Sequence, residues 1–213
     1  MPLYKTITID DRTNVLIWKI EETYASLCKG IDLTERCQAR VAGMKSEIHQ
    51  RGFMSVRHLL AVMGYTDHDL YYDDNGKPHL ADGKCISITH SFEFAGIIIS
   101  DRAIGIDIEK QREKIQSIAH KFTNTSEHNY FNEHLQDNIR ALTIIWGAKE
   151  SLYKLYATPG LSFQDHITMS SFTLTYPIVH ATVCYKNKSN SYDLAFIEFE
   201  GYTCVYTLPT PQV

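Results

Sequence analysis

The chain changes its hydrophobic period twice, and that constrains the fold more than any single residue does. Over residues 33–63 the pattern is helical. Phe53, Val56, Leu59, Leu60 and Met63 recur at three- or four-residue spacing and make one apolar face. From residue 85 the runs become short and β-branched. Residues 85–89 and 95–100 read as paired strands, and 103–109 as a third. A second helical block runs over 126–157, with Ile139, Leu142, Ile145, Trp146, Tyr153 and Tyr156 near one stripe. The tail alternates again over 171–176, 178–185, 192–198 and 202–208. A helix followed by strands, repeated once, is an α+β pattern. The expected architecture is two similar subdomains, 1–103 and 104–213. Each is an antiparallel sheet packed with a long helix, and a pseudo-two-fold relates them.

Punctuation supports this division. Asn75-Gly76-Lys77-Pro78 reads as an exposed turn, and Thr158-Pro159-Gly160 stops the second helical block. With 213 residues, 44% hydrophobic and 22% charged, the chain can bury a core without disulfides. Its five cysteines are odd in number and show no C-x-x-C spacing, so reduced thiols in a cytoplasmic protein are expected. Residues 1–11 lack an apolar core and a basic lead, so no signal peptide is expected. The longest apolar run, 94–99, is far too short for a membrane span. A net charge of −4 argues against a general nucleic-acid binder, which needs basic residues to replace phosphate counterions.

The chemistry concentrates in three places. In Gly105-Ile106-Asp107-Ile108-Glu109, strand alternation sends Ile104, Ile106 and Ile108 to a core and Asp107 with Glu109 to the other face. Two carboxylates side by side repel unless a cation lies between them, and hard oxygen ligands suit Mg²⁺ or Mn²⁺. A solvated acidic strand face would give the same alternation. In the second helical block, Glu150 and Lys154 stand one turn apart. They read either as a surface ion pair or as a third metal carboxylate with an ammonium for a diphosphate. Finally, Ser87-Ile88-Thr89-His90-Ser91 sets a histidine between two hydroxyls, either a turn histidine or a phosphate donor. Glu127-His128 and Glu133-His134 read as surface.

Together these segments resemble the phosphopantetheinyl transferase superfamily, and more closely its double-length Sfp type, named for the activator of surfactin synthetase. Gly76-Lys77-Pro78 matches the family's G-K-P turn. Ile88-Thr89-His90-Ser91 matches its S-H-S segment, with Thr89 where serine is usual. Residues 105–109 match its G-[IV]-D-[IVL]-E strand, and 146–154 its W-x-x-K-E-[AS]-x-x-K helix. The resemblance covers roughly residues 33–176.

It implies transfer of the phosphopantetheine arm of coenzyme A to a serine of an apo acyl or peptidyl carrier protein, with adenosine 3′,5′-bisphosphate leaving. The resemblance further implies that Asp107, Glu109 and Glu150 hold Mg²⁺. Glu150, or a water on the metal, is then the base, and Lys154 serves the leaving phosphate. His90, with Thr89 and Ser91, meets the coenzyme A phosphates, while Lys77 and Pro78 border the adenine. Arg51 grips the 3′-phosphate, with Arg36 as a further partner. A single chain would supply both sides of the cleft, so a monomer should suffice. Carrier contacts are expected around 114–131.

Residues 29–57 hold six basic side chains against three acidic ones, a local excess that suits a polyphosphate ligand and an acidic carrier. Arg57 is expected to be structural, its stem packed beside the apolar stripe. Two other readings share parts of the pattern. A metal-dependent nuclease also uses a D-x-E strand with an E-x-x-x-K helix, although the acidic balance and the G-K-P turn weigh against it. A non-catalytic carrier-binding module is the other.

Overall fold

The computed structural model describes residues 3–134 and 137–208. The chain divides into two units, one ending at Ala103 and the next beginning at Ile104. Both are α+β with one antiparallel sheet.

The first unit opens with strands β1 (Leu3–Asp10) and β2 (Thr13–Lys19). Helices α1 (Tyr24–Leu27), α2 (Glu35–Ala42) and α3 (Glu47–Val62) follow. Four strands close it: β3 (Leu70–Tyr72), β4 (Pro78–Leu80), β5 (Cys85–Ser91) and β6 (Phe94–Ser100). The sheet order is β1-β2-β6-β5-β4-β3. The single helix expected over 33–63 is in fact two. Thr34 caps α2 by accepting from the Cys37 N–H at 3.3 Å, and α2 stops at Gly43 before α3 restarts after Ser46. The apolar stripe itself holds. Phe53, Val56, Leu59 and Leu60 are buried against Leu16, Ile86, Ile97 and Ile99 of the sheet. Each such side chain contributes ~1.5–3 kcal/mol of burial.

The second unit runs β7 (Ile106–Lys110), α4 (Lys114–Ile118), α5 (Thr125–His134), α6 (Asn138–Tyr156), β8 (Ile167–Met169), β9 (Ile178–Tyr185), β10 (Lys188–Phe199) and β11 (Tyr202–Thr207). Its sheet order is β7-β11-β10-β9-β8. The block expected over 126–157 is likewise two helices. Asp137 begins α6 by accepting from the Arg140 N–H, and the helix ends at left-handed Ala157 just before Thr158-Pro159-Gly160. Residues 171–176, expected to alternate as a strand, form none, whereas β8 lies just upstream at 167–169. The β9–β10 hairpin turns on Lys186 and Asn187, both at positive φ, as a two-residue primed turn requires.

Two glycines let α6 lie close on the sheet. A Cβ on Gly105 would fall 1.9 Å from the Ser151 carbonyl oxygen, and one on Gly147 would fall 2.8 Å from Val205 Cγ2. Ser151 completes the seam, its hydroxyl lying 3.0 Å from the Val205 carbonyl and 2.7 Å from that of Gly147. Among the described residues no helix is long and apolar enough to cross a membrane, and all five cysteines are unpaired thiols.

Candidate active site

In the second unit the alternation of β7 works as the sequence suggests. Ile104, Ile106 and Ile108 are buried, and Asp107 points to α6. Because Gly147 brings the helix close, Lys154 reaches the strand. Its ammonium donates to Asp107 Oδ1 at 2.6 Å and to the Ile106 carbonyl at 3.0 Å. Lys154 therefore pairs with Asp107, and the simple surface pair of Glu150 with Lys154 is not what forms. Trp146 Nε1 donates to Glu109 Oε1 at 3.3 Å. Glu150 completes the group. Burial, then the charge of Asp107, pushes its carboxyl up to about 7; Lys154 opposes this and Glu109 adds to it. Three carboxylates thus act on one another around a single lysine.

Among the described residues, no group of three or more His, Cys, Asp or Glu is arranged to hold a metal ion. Asp107 instead leans on Lys154, which offsets part of the repulsion among the carboxylates. The donor set is nonetheless all hard oxygen. Burial first, and then the charges of Asp107 and Glu109, raise the Glu150 carboxyl, and a divalent cation would offset the repulsion among the three. In kind, though not in their present arrangement, these donor atoms suit such an ion. Beside them lies a pocket of about 210 Å³ bordered by Glu109, Trp146, Lys110, Arg112, Lys114 and Ile115.

The first unit carries the other sequence-predicted residues. Arg51, in the first turns of α3, donates from Nη2 to the Ile20 carbonyl at 2.8 Å, while its Nε is buried and makes no hydrogen bond. A Cβ on the next residue, Gly52, would sit 3.1 Å from His90 Cγ, so the helix leaves a notch for that imidazole. One turn before Gly52 on α3, the His49 ring lies 6.0 Å from that of His90. His90 and α3 are brought together at Gly52, the residue next to Arg51. Thr89 and Ser91 are not, because they are buried and alternate to the opposite face of β5. This alternation sets the Thr89 and Ser91 side chains on the face of β5 away from His90.

Lys77 and Pro78 lie in a turn built by Asp73, whose Oδ1 accepts from the Asn75 and Lys77 N–H groups at 2.9 Å each. Its Oδ2 meets His79 Nε2 at 3.0 Å, and the His79 bond leads the effects that hold the Asp73 carboxyl below its usual range. Arg36 is exposed on α2. Sequence reasoning missed His49, Asp73 and the notch at Gly52. A glycine inside a helix costs ~1 kcal/mol and is itself a signal of close approach. Glu127, expected at the surface, is buried against Lys149. The side chains of Glu133, His134 and Phe131 lie outside the described residues.

An acidic trio and a lysine thus meet on one strand and one helix of the second unit. Comparison with known proteins makes the likeness specific. Residues 103–204 match the model of the 4′-phosphopantetheinyl transferase superfamily, so the resemblance read from the motifs is borne out. The chain is 26% identical over 152 residues to 4′-phosphopantetheinyl transferase gsp of Aneurinibacillus migulanus, covering 70% of this chain and 62% of the relative. It is 31% identical over 136 residues to enterobactin synthase component D of Salmonella typhimurium, covering 62% of this chain and 55% of the relative. The matches thus span less than two thirds of either relative.

Proposed function

We propose that this protein transfers the 4′-phosphopantetheine arm of coenzyme A to a serine of an apo acyl or peptidyl carrier protein. The observation that carries the reading is the second unit's cluster, in which Lys154 contacts Asp107 and both Asp107 and Glu109 raise Glu150. Asp107, Glu109 and Glu150 would hold Mg²⁺, or Mn²⁺ in its place. When bound, the ion neutralises charge on the coenzyme A diphosphate.

The residues themselves do the rest. The carrier serine oxygen bonds to the β-phosphorus, the bond to the leaving bisphosphate breaks, and the serine proton passes to a base. Glu150, the half-buried carboxyl, is the group at hand to take it. Lys154 stabilises the leaving phosphate as its charge grows. Arg51 and His90 bind phosphate, the buried Arg51 Nε offering an unused donor. Lys77 and Pro78 border the adenine on the turn that Asp73 shapes, with Arg36 as an outer cation. Carrier contacts fall around 114–131, where Lys114, with Lys110 and Arg112 just ahead of it, suits an acidic partner. We further propose that the protein acts as a cytoplasmic monomer. Incubating several apo-carrier proteins with the protein, coenzyme A and Mg²⁺ tests the reading. Carrier mass should rise by one phosphopantetheine arm, and no gain with any carrier would count against it.

A further inference from the structure

One buried ion pair in the second unit has no part in the chemistry above. Lys149 is 0% exposed and Glu127 4%. The Lys149 ammonium spends its three protons on Glu127 Oε2 at 2.8 Å and on the carbonyls of Phe122 and Phe163 at 2.7 and 3.0 Å. Glu127 accepts in turn from the Met169 N–H at 2.7 Å and the Asn124 N–H at 2.9 Å. One lysine on α6 is thereby tied to α5, to β8 and to two loops. A pair of apolar residues would fill the same space at no loss of stability, and often with a gain. What apolar residues would lack is direction.

We propose that the Lys149–Glu127 pair is a positioning device that fixes the rotation of α6, and through it the aim of Glu150 and Lys154. The proposal rests on the function proposed above. Lys149 and Glu150 are neighbours, so holding one side chain fixes the other ~100° around the helix. Rotating α6 by ~10° would move a group ~6 Å from its axis by about 1 Å. That displacement breaks hydrogen bonds of the lengths seen at Lys149. The same displacement at a reacting group costs on the order of 100-fold in rate. Lys149 and Glu127 are positioning residues, and neither touches substrate.

The test compares the full-length wild type with Lys149→Met and with the doubly neutral Lys149→Met/Glu127→Gln. The single variant leaves a buried carboxylate unpaired and should melt well below wild type. The double variant removes both charges and should regain most of that loss. Its kcat should nonetheless stay ~10–100-fold down, with KM for coenzyme A near the wild-type value. A second readout is independent of activity. Trp146 packs on Phe122 at 5.1 Å and on Phe163 at 5.5 Å, the two residues whose carbonyls hold Lys149. Near-ultraviolet circular dichroism should therefore change in the double variant while the far-ultraviolet spectrum does not. Wild-type kcat and wild-type near-ultraviolet signal in a folded double variant would overturn the proposal. So would a double variant that does not fold, since the pair would then be a stability element. A wild-type protein without transfer activity would instead sink the proposed function.

Discussion

Among the described residues, each unit has one fully buried ion pair, and the two differ in their company. In the first, Arg57 donates from Nε to Asp67 Oδ1 at 2.9 Å and from Nη1 to the Phe53 carbonyl at 3.2 Å. Its guanidinium also lies 3.5 Å over the Phe53 ring. Asp67 Oδ2 accepts from both the N–H and the hydroxyl of Thr34, the residue that caps α2. All of these neighbours are packing or capping groups. In the second unit, Lys149 is equally buried, but the next residue is Glu150 and Lys154 follows one turn on. The same physical device thus joins a cap to a helix in one place and stands directly behind the reactive carboxylates in the other. The setting of a buried pair, more than its geometry, decides whether losing it costs only stability.

Arg57→Ala should give the largest stability effect, a loss of ~3–5 kcal/mol from an uncompensated buried carboxylate. Denaturant unfolding measures this, and turnover per folded molecule should remain at the wild-type level. A specific loss of turnover would erase the contrast with Lys149. Asp107→Ala should do the opposite. It should lower kcat by ~100-fold or more by removing a charge at the reacting centre, with the fold intact by circular dichroism. An active variant at low Mg²⁺ would remove the metal assignment. Arg51→Ala should weaken coenzyme A by ~10-fold, the cost of a charge-assisted bond, while dephospho-coenzyme A weakens less. Equal losses would take the 3′-phosphate away from Arg51.

The pH dependence follows from Glu150. Its carboxyl is raised from the ordinary 4.5 to about 7, chiefly by burial and Asp107. The folded state therefore holds this proton where the unfolded chain has lost it. Without metal, stability from this group should fall as pH rises from about 4.5 to about 7. The thermal shift produced by Mg²⁺ should then grow over the same range, as ionised Glu150 becomes available. A pH-independent shift would contradict a role for Glu150 as ligand. The smallest effect is at the end of α6, where Ala157 has φ of +43°. Ala157→Gly should raise stability by ~1 kcal/mol by removing the left-handed penalty, without changing turnover.

The legible parts of the molecule were those that local pattern controls. Strand alternation put Asp107 opposite three isoleucines, and helical spacing found the stripe from Phe53 to Leu60. Strands β1 and β2 passed unread. Half of β1 is exposed and none of it fully buried, and the pairing of β2 with β6 joins residues far apart in the chain. The breaks within both helical blocks were hidden because caps such as Thr34 and Asp137 sit inside otherwise continuous helical composition. Glu127 reads as a surface charge because its pairing with Lys149 spans 22 residues and depends on packing that no local pattern encodes. Thr89 and Ser91 flank His90 in sequence, but a strand sends successive side chains to opposite faces.

The central claim is group transfer to a carrier serine, and the most direct test follows both products at once. Purified apo-carrier, coenzyme A and Mg²⁺ are mixed with the protein, and modified carrier and free adenosine 3′,5′-bisphosphate are quantified by mass spectrometry. The account predicts that they appear in equal amounts, and that neither forms when the carrier serine is replaced by alanine. Bisphosphate released without carrier modification, or neither product with any carrier, would contradict it.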